Sequence, residues 1–244
     1  MRKNIFPIIP LILLIFLSCS KDDTMRGDTG TGGSMARFTI RHNYLYTVDH
    51  MSLHTFGIAQ PEQIKHLHKQ FLGFGIETIF PSADYLFIGA IDGMHIYGLT
   101  NPENPNKISF TPHFISYDPV VVQGDFAYVT LRSAPNMQWG ENVLLVFDIS
   151  KPDSPQLLAE HQMTNPRGLG IDNDLLFICD DMLKVFQVGG NGYDIELLQT
   201  FNIQAIDVIP SGNRLYVVAE DGLYQYDFDG KSVSLLSKLT ISKP

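Results

Sequence analysis

Asn43-Tyr44-Leu45-Tyr46, Asp84-Tyr85-Leu86-Phe87, Asp125-Phe126-Ala127-Tyr128, Asp174-Leu175-Leu176-Phe177 and Asn213-Arg214-Leu215-Tyr216 are five versions of one phrase. Each is a polar Asn or Asp followed by a short segment that closes on an aromatic ring. The ring positions 46, 87, 128, 177 and 216 are separated by 41, 41, 49 and 39 residues. Near-constant spacing marks a repeat architecture, whose units bury their apolar faces against one another.

Working outward, each phrase leads into a second apolar run, such as Met94-His95-Ile96-Tyr97-Gly98-Leu99 or Leu183-Lys184-Val185-Phe186-Gln187-Val188. These runs alternate with period two, which predicts strands with one side-chain set on each face. Turns rich in Pro, Asn, Asp and Gly follow, as in Asn101-Pro102-Glu103-Asn104-Pro105. Proline has no ladder N–H, so these stretches end strands. A third strand comes next, for example Gln156 to His161, and a fourth precedes the following phrase, for example Ile76 to Phe80. Four strands per unit of roughly 40 residues is the arithmetic of a propeller blade. The expected fold is all-β, a five-bladed β-propeller of four-stranded blades covering 36–74, 75–116, 117–164, 165–203 and 204–244. Ala36 to Ile40 supplies the inner strand of blade one and Ser234 to Ile241 the outer strand of blade five, so each blade closes within itself. Neither end carries a cap-like copy, so the ring is expected to close.

The stretch Leu144-Leu145-Val146-Phe147-Asp148-Ile149-Ser150-Lys151-Pro152-Asp153-Ser154-Pro155-Gln156-Leu157-Leu158 resembles the LVIVD repeat: an apolar strand ending in Asp, a Ser/Asn-Pro-x-x-Pro turn, then another apolar strand. Met94 to Ile108 matches nearly as well, with Gly98 where the Asp belongs. The last two copies keep the strands and lose the prolines. The resemblance implies a secreted or surface propeller and says little about chemistry.

The N-terminus reads as an address. Arg2 and Lys3 precede an apolar run from Ile5 to Leu17 that is broken by Pro7 and Pro10. That run is too short to span a bilayer as a helix, which needs about 20 apolar residues, and fits a signal peptide over 1–18. Phe16-Leu17-Ser18-Cys19 resembles a lipobox, which implies acylation of Cys19 and a membrane anchor. Ser20-Lys21-Asp22-Asp23 resembles the acidic signal that sends many Bacteroidetes lipoproteins to the cell surface; the periplasmic face of the outer membrane is the alternative location. Residues 19–35, rich in Gly, Thr and Asp, form the expected flexible tether.

Composition sets the remaining bounds. With 17 basic and 26 acidic residues the formal charge is −9, the wrong sign for nucleic acid. The second cysteine, Cys179, sits in an apolar strand and reads as a core residue with no disulfide. No GxSxG, HExxH, P-loop or dinucleotide motif occurs, so no catalytic residue, cofactor or metal is assigned. Counting seven residues back from each repeat's Asn or Asp gives Ala36, Glu77, Asp118, Arg167 and Ile206; one step nearer come Arg37, Thr78, Pro119, Gly168 and Asp207. Glu77, Asp118, Arg167 and Asp207 are therefore candidates to converge at one mouth of the channel. The long insertion of blade three carries Met137 and Trp139, the single tryptophan, as a second candidate contact. The expected role is a non-catalytic binding or scaffold propeller that engages a protein or glycan through a loop rim. The alternative is a hydrolase or lyase with an acidic, metal-assisted channel mouth.

Overall fold

The computed structural model describes residues 32–113, 116, 119–133, 141–230 and 232–241. The leader, Cys19, most of the tether, Asp118, Met137 and Trp139 lie outside the described residues. The fold is an all-β propeller of five four-stranded antiparallel sheets, each built from consecutive strands. Sheet one is β1 (Phe38–Arg41), β2 (Tyr44–Val48), β3 (Ser52–Gly57) and β4 (Lys65–Phe71). Sheet two is β5 (Ile76–Ser82), β6 (Tyr85–Ala90), β7 (Gly93–Gly98) and β8 (Asn106–Pro112). Sheet three is β9 (Val120–Gln123), β10 (Phe126–Leu131), β11 (Val143–Asp148) and β12 (Gln156–Gln162). Sheet four is β13 (Leu169–Asp172), β14 (Leu175–Cys179), β15 (Leu183–Val188) and β16 (Ile195–Phe201). Sheet five is β17 (Ala205–Ser211), β18 (Arg214–Ala219), β19 (Gly222–Phe228) and β20 (Val233–Thr240).

The repeat phrase has a local cause. The residue before each Asn or Asp turns the first strand into the second with a positive φ: 52° at His42, 47° at Ala83, 58° at Gly124, 50° at Asn173 and 61° at Gly212. Glycine and asparagine suit that region, and its demand recurs at the same place in all five units. The carbonyl of the Asn or Asp then accepts from the residue that leaves the third strand, as in Leu99 N to Asp84 O at 2.8 Å and Val188 N to Asp174 O at 2.8 Å. A register shift between the third and fourth strands also recurs, at Thr55/Phe56, Ile96/Tyr97, Val146/Phe147, Val185/Phe186 and Gln225/Tyr226. Such a bulge adds twist and swings the outer strand away.

Burial between sheets is the main source of cohesion. Four apolar clusters join sheets one and two, two and three, three and four, and four and five. The repeat's aromatic ring sits in these layers: Tyr46, Phe87, Tyr128 and Phe177 are 0%, 1%, 2% and 0% exposed. Tyr128 and Tyr46 also donate their hydroxyls, to Gly192 O at 2.7 Å and Pro102 O at 2.8 Å. Burial pushes the Tyr128 hydroxyl up to about 12.

The fifth ring, Tyr216, is 38% exposed, because among the described residues no sheet covers that side of sheet five. The matching side of sheet one is equally bare. Phe38 is 60% exposed, whereas Ile79, Val120, Leu169 and Val208, which hold its place in the other sheets, are at most 1% exposed. The first strands β1, β5, β9, β13 and β17 pack in sequence beside one another, but β17 has no such packing on β1. The five sheets thus share one axis, and among the described residues no apolar layer joins the fifth to the first. Sequence periodicity carries no term for curvature per repeat, which is what decides closure.

This asymmetry predicts different costs at one repeat position. Phe177, which packs edge-on against Phe228 at 5.3 Å, should lose about 3–5 kcal/mol on substitution by Ala. Tyr216→Ala should cost less than about 1 kcal/mol by the same urea titration, as a half-exposed side chain leaves little cavity.

Candidate functional site

The first strands point their starts at one end of the axis, and the segments that enter them line a cavity of about 480 Å³. Sheet one contributes Met35, Arg37 and His50; sheet two Glu77 and Thr78; sheet three Pro119 and Arg132; sheets four and five Pro166, Arg167 and Ile206. Among the described residues this wall carries three guanidinium groups and the Glu77 carboxylate, with Glu220 beside Arg167.

Arg37 and Arg167 are each held both by their own sheet and by a neighbouring one. Arg37 lies just before β1, where its carbonyl accepts from Val48 N at 2.8 Å. Its Nη2 donates to Ile76 O at 2.7 Å and lies 3.3 Å from His50 Nδ1. Arg167 is fixed through its backbone: its N–H donates to Cys179 O at 2.6 Å, and its carbonyl accepts from Thr130 Oγ1 at 2.7 Å. Asp180, fully buried, ties down the approach to it by accepting from Thr164 N, Asn165 N and Lys184 Nζ, the last at 2.7 Å. The Arg167 side chain is 22% exposed and pairs with Glu220 at 3.4 Å. The Nε atoms of Arg37 and Arg167 are both buried with no acceptor in the structure. Unmet donors beside a cavity are costly unless an acceptor arrives there.

Of the sequence candidates, Glu77 and Arg167 line this cavity together. Asp118 lies outside the described residues. Asp207 stands apart from the wall: its carboxylate accepts from Ser34 Oγ at 3.0 Å and Val208 N at 2.9 Å. Burial raises its pKa above the usual carboxylate range, opposed by those hydrogen bonds. Its raised folded-state pKa means that it favours folding at low pH and that this contribution fades as pH rises through the folded value. Gly33 and Gly168 pack so closely that a Cβ on either would strike Asp207, so two glycines give the carboxylate its space. Asp207 is a strut that fastens residues 33–36 across the axis.

His50 and Arg132 escaped sequence reasoning. The count back from each repeat finds only the entering segment, whereas these two come from the connection between second and third strands. The same connection in sheet five supplies Glu220, the partner of Arg167. Counting forward from the aromatic ring would have reached all three. Cys179, read as a core residue, is fully buried. Among the described residues no group of three or more His, Cys, Asp or Glu is placed to hold a metal ion.

Solved structures with this fold include a periplasmic gluconolactonase from Pseudomonas aeruginosa (16% identity, 82% of this chain and 68% of that one, TM-score 0.63). A functionally unknown protein from Desulfotomaculum acetoxidans aligns at 14% identity over 88% and 70%, TM-score 0.68. A protein from Lactobacillus plantarum aligns at 16% identity over 82% and 69%, TM-score 0.67. No family model matches the chain, and no curated protein sequence does. The class is thus a β-propeller, defined by fold.

Ser34 gives the most direct test of the strut. Its Oγ donates to Asp207 and accepts from Leu169 N at 2.8 Å, joining three segments through one hydroxyl. Ser34→Ala leaves that buried N–H without an acceptor and should lower stability by about 1–3 kcal/mol in urea titration. An unchanged midpoint would show that the strap is not fastened there.

Proposed function

We propose that this chain is a lipid-anchored protein of the cell envelope, built from LVIVD-type repeats, whose propeller binds a protein or glycan without catalysing a reaction. The channel mouth takes an anionic group of that partner. The observation that carries this reading is the convergence of Arg37, Arg132 and Arg167 from three sheets on one cavity, with two buried Nε donors lacking acceptors. A guanidinium presents a planar fork that matches a carboxylate, and low-dielectric walls focus its field. The contrast with a formal charge of −9 makes the cavity a local exception on an acidic body.

The location rests on the leader, with Cys19 as the acylated residue and the outer membrane, cell-surface side, as destination. A propeller of the same fold described as periplasmic, the Pseudomonas gluconolactonase, accords with an envelope site. Met137 and Trp139 serve in this reading as rim contacts from the third blade's insertion. Among the described residues the acidic hydrolase reading finds Glu77 alone of its carboxylates on the cavity wall, with Asp207 bonded to Ser34 instead.

Two measurements test the proposal. Labelling growing cells with radioactive palmitate should mark the wild-type chain, and Cys19→Ser should abolish the label; retained label would contradict the anchor. Binding of the full chain in detergent to an array of carboxylated and neutral oligosaccharides and peptides should select the carboxylated set. Arg167→Gln should then weaken binding about 10–100-fold, the worth of one or two charged hydrogen bonds. Equal binding to neutral probes, or an unchanged affinity in the variant, would refute the anionic reading.

A further inference from the structure

The end of the axis that opens the cavity also carries the two most exposed aromatic side chains among the described residues. Phe71 closes β4 opposite Ser52, and Phe74 stands in the connection from β4 to β5. They are 62% and 72% exposed. Their rings meet edge to face at 5.8 Å, and neither joins any of the four apolar clusters. Met51, itself exposed, lies beside them: its carbonyl accepts from Leu72 N at 2.8 Å. The carbonyl of His50 accepts from Ile76 N at 3.1 Å, so this edge borders the cavity that His50 lines.

The connection is built to hold Phe74 out. Gly73 and Gly75 flank it at φ 138° and 73°, and a Cβ on Gly75 would strike Ile91. The matching connections of sheets three and four carry Thr164-Asn165 and Asn202-Ile203-Gln204, with Ile203 packed on the core. Leu157, Leu197 and Leu235 are exposed too, but they lie on hydrogen-bonded outer strands at the side of the ring, towards its other end.

The chain enters the ring at the cavity end. Ser34 is fixed there by Asp207 and Leu169, and Ala36 O accepts from Ile79 N at 2.9 Å. The 13 steps from Cys19 to Gly32 span at most about 45 Å. The other end of the ring lies farther by the height of a sheet, about 25 Å for strands of seven or eight residues. A chain acylated at Cys19 therefore brings the cavity end to the lipid first.

We propose, on the strength of that anchor, that Phe71, Phe74 and Met51 form a docking edge that inserts into the lipid surface. Apolar side chains presented together on a polar body enter the boundary between headgroups and acyl chains. The tether makes this contact intramolecular in effect, so weak insertion is enough to orient the ring. In this arrangement the cavity meets its anionic partner beside the bilayer.

The test uses the full chain, acylated at Cys19, in vesicles of phosphatidylethanolamine with a minor share of phosphatidylglycerol. Phe74→Cys carries a nitroxide; Cys179 is fully buried and stays unlabelled. The ratio of nitroxide collisions with oxygen to those with a water-soluble nickel chelate should be at least about threefold higher at 74 than at a control label on Leu157→Cys. Adding Phe71→Asp, an exposed site, should bring the ratio at 74 down to that of the control. A chain that fails to float with the vesicles overturns the anchor and the docking together. A floating chain whose label at 74 sits in water, as an edge reserved for a protein would leave it, overturns the docking alone. So does dipolar broadening between labels at 74, the mark of a second copy on this edge.

Discussion

A β-sheet with apolar residues on both faces is stable only between two neighbours, and this molecule is organised by that constraint. The alternation within each strand sends one side-chain set to the preceding blade and the other to the following one. Sheets two, three and four satisfy both sets. Sheets one and five satisfy one set each, so the end blades hold exposed side chains that are core residues everywhere else in the repeat. The axis, the channel mouth and the exposed faces of sheets one and five all follow from how far each sheet turns relative to the last.

The repeat was legible because its chemistry is local. A ring closing the phrase, a turn residue that tolerates positive φ, and the alternating run that follows are features of a few consecutive residues each. They located the second and third strands of every unit and, at the ends, the inner strand at Phe38–Arg41 and the outer strand at Val233–Thr240. Closure was not legible, since curvature is a small angle summed over units. Tyr216 reads in sequence like Phe177; only the missing neighbour distinguishes them.

The candidate site was partly legible for the same reason. Counting back from the repeat reached Glu77 and Arg167 because the entering segments run in register around the axis. It could not foresee that Asp207 would bend away to Ser34, a contact across 173 residues of sequence. It also missed His50 and Arg132, whose connection lengths differ between blades. Among the described residues they add an imidazole and a guanidinium to a wall that the count had filled mainly with carboxylates. The strap that Asp207 fastens borders the cavity and ties the segment before β1 to sheets four and five.

Native-state hydrogen exchange of the purified chain measures the central claim directly, because protection reports how well each sheet is covered. Amides of β6, β10 and β14, in sheets packed on both faces, should exchange only through global unfolding. Those of β2 and β18, in the two end sheets, should exchange at least about tenfold faster through local opening. Equal protection of all five central strands would mean that the end faces are covered after all, and that the ring closes on itself.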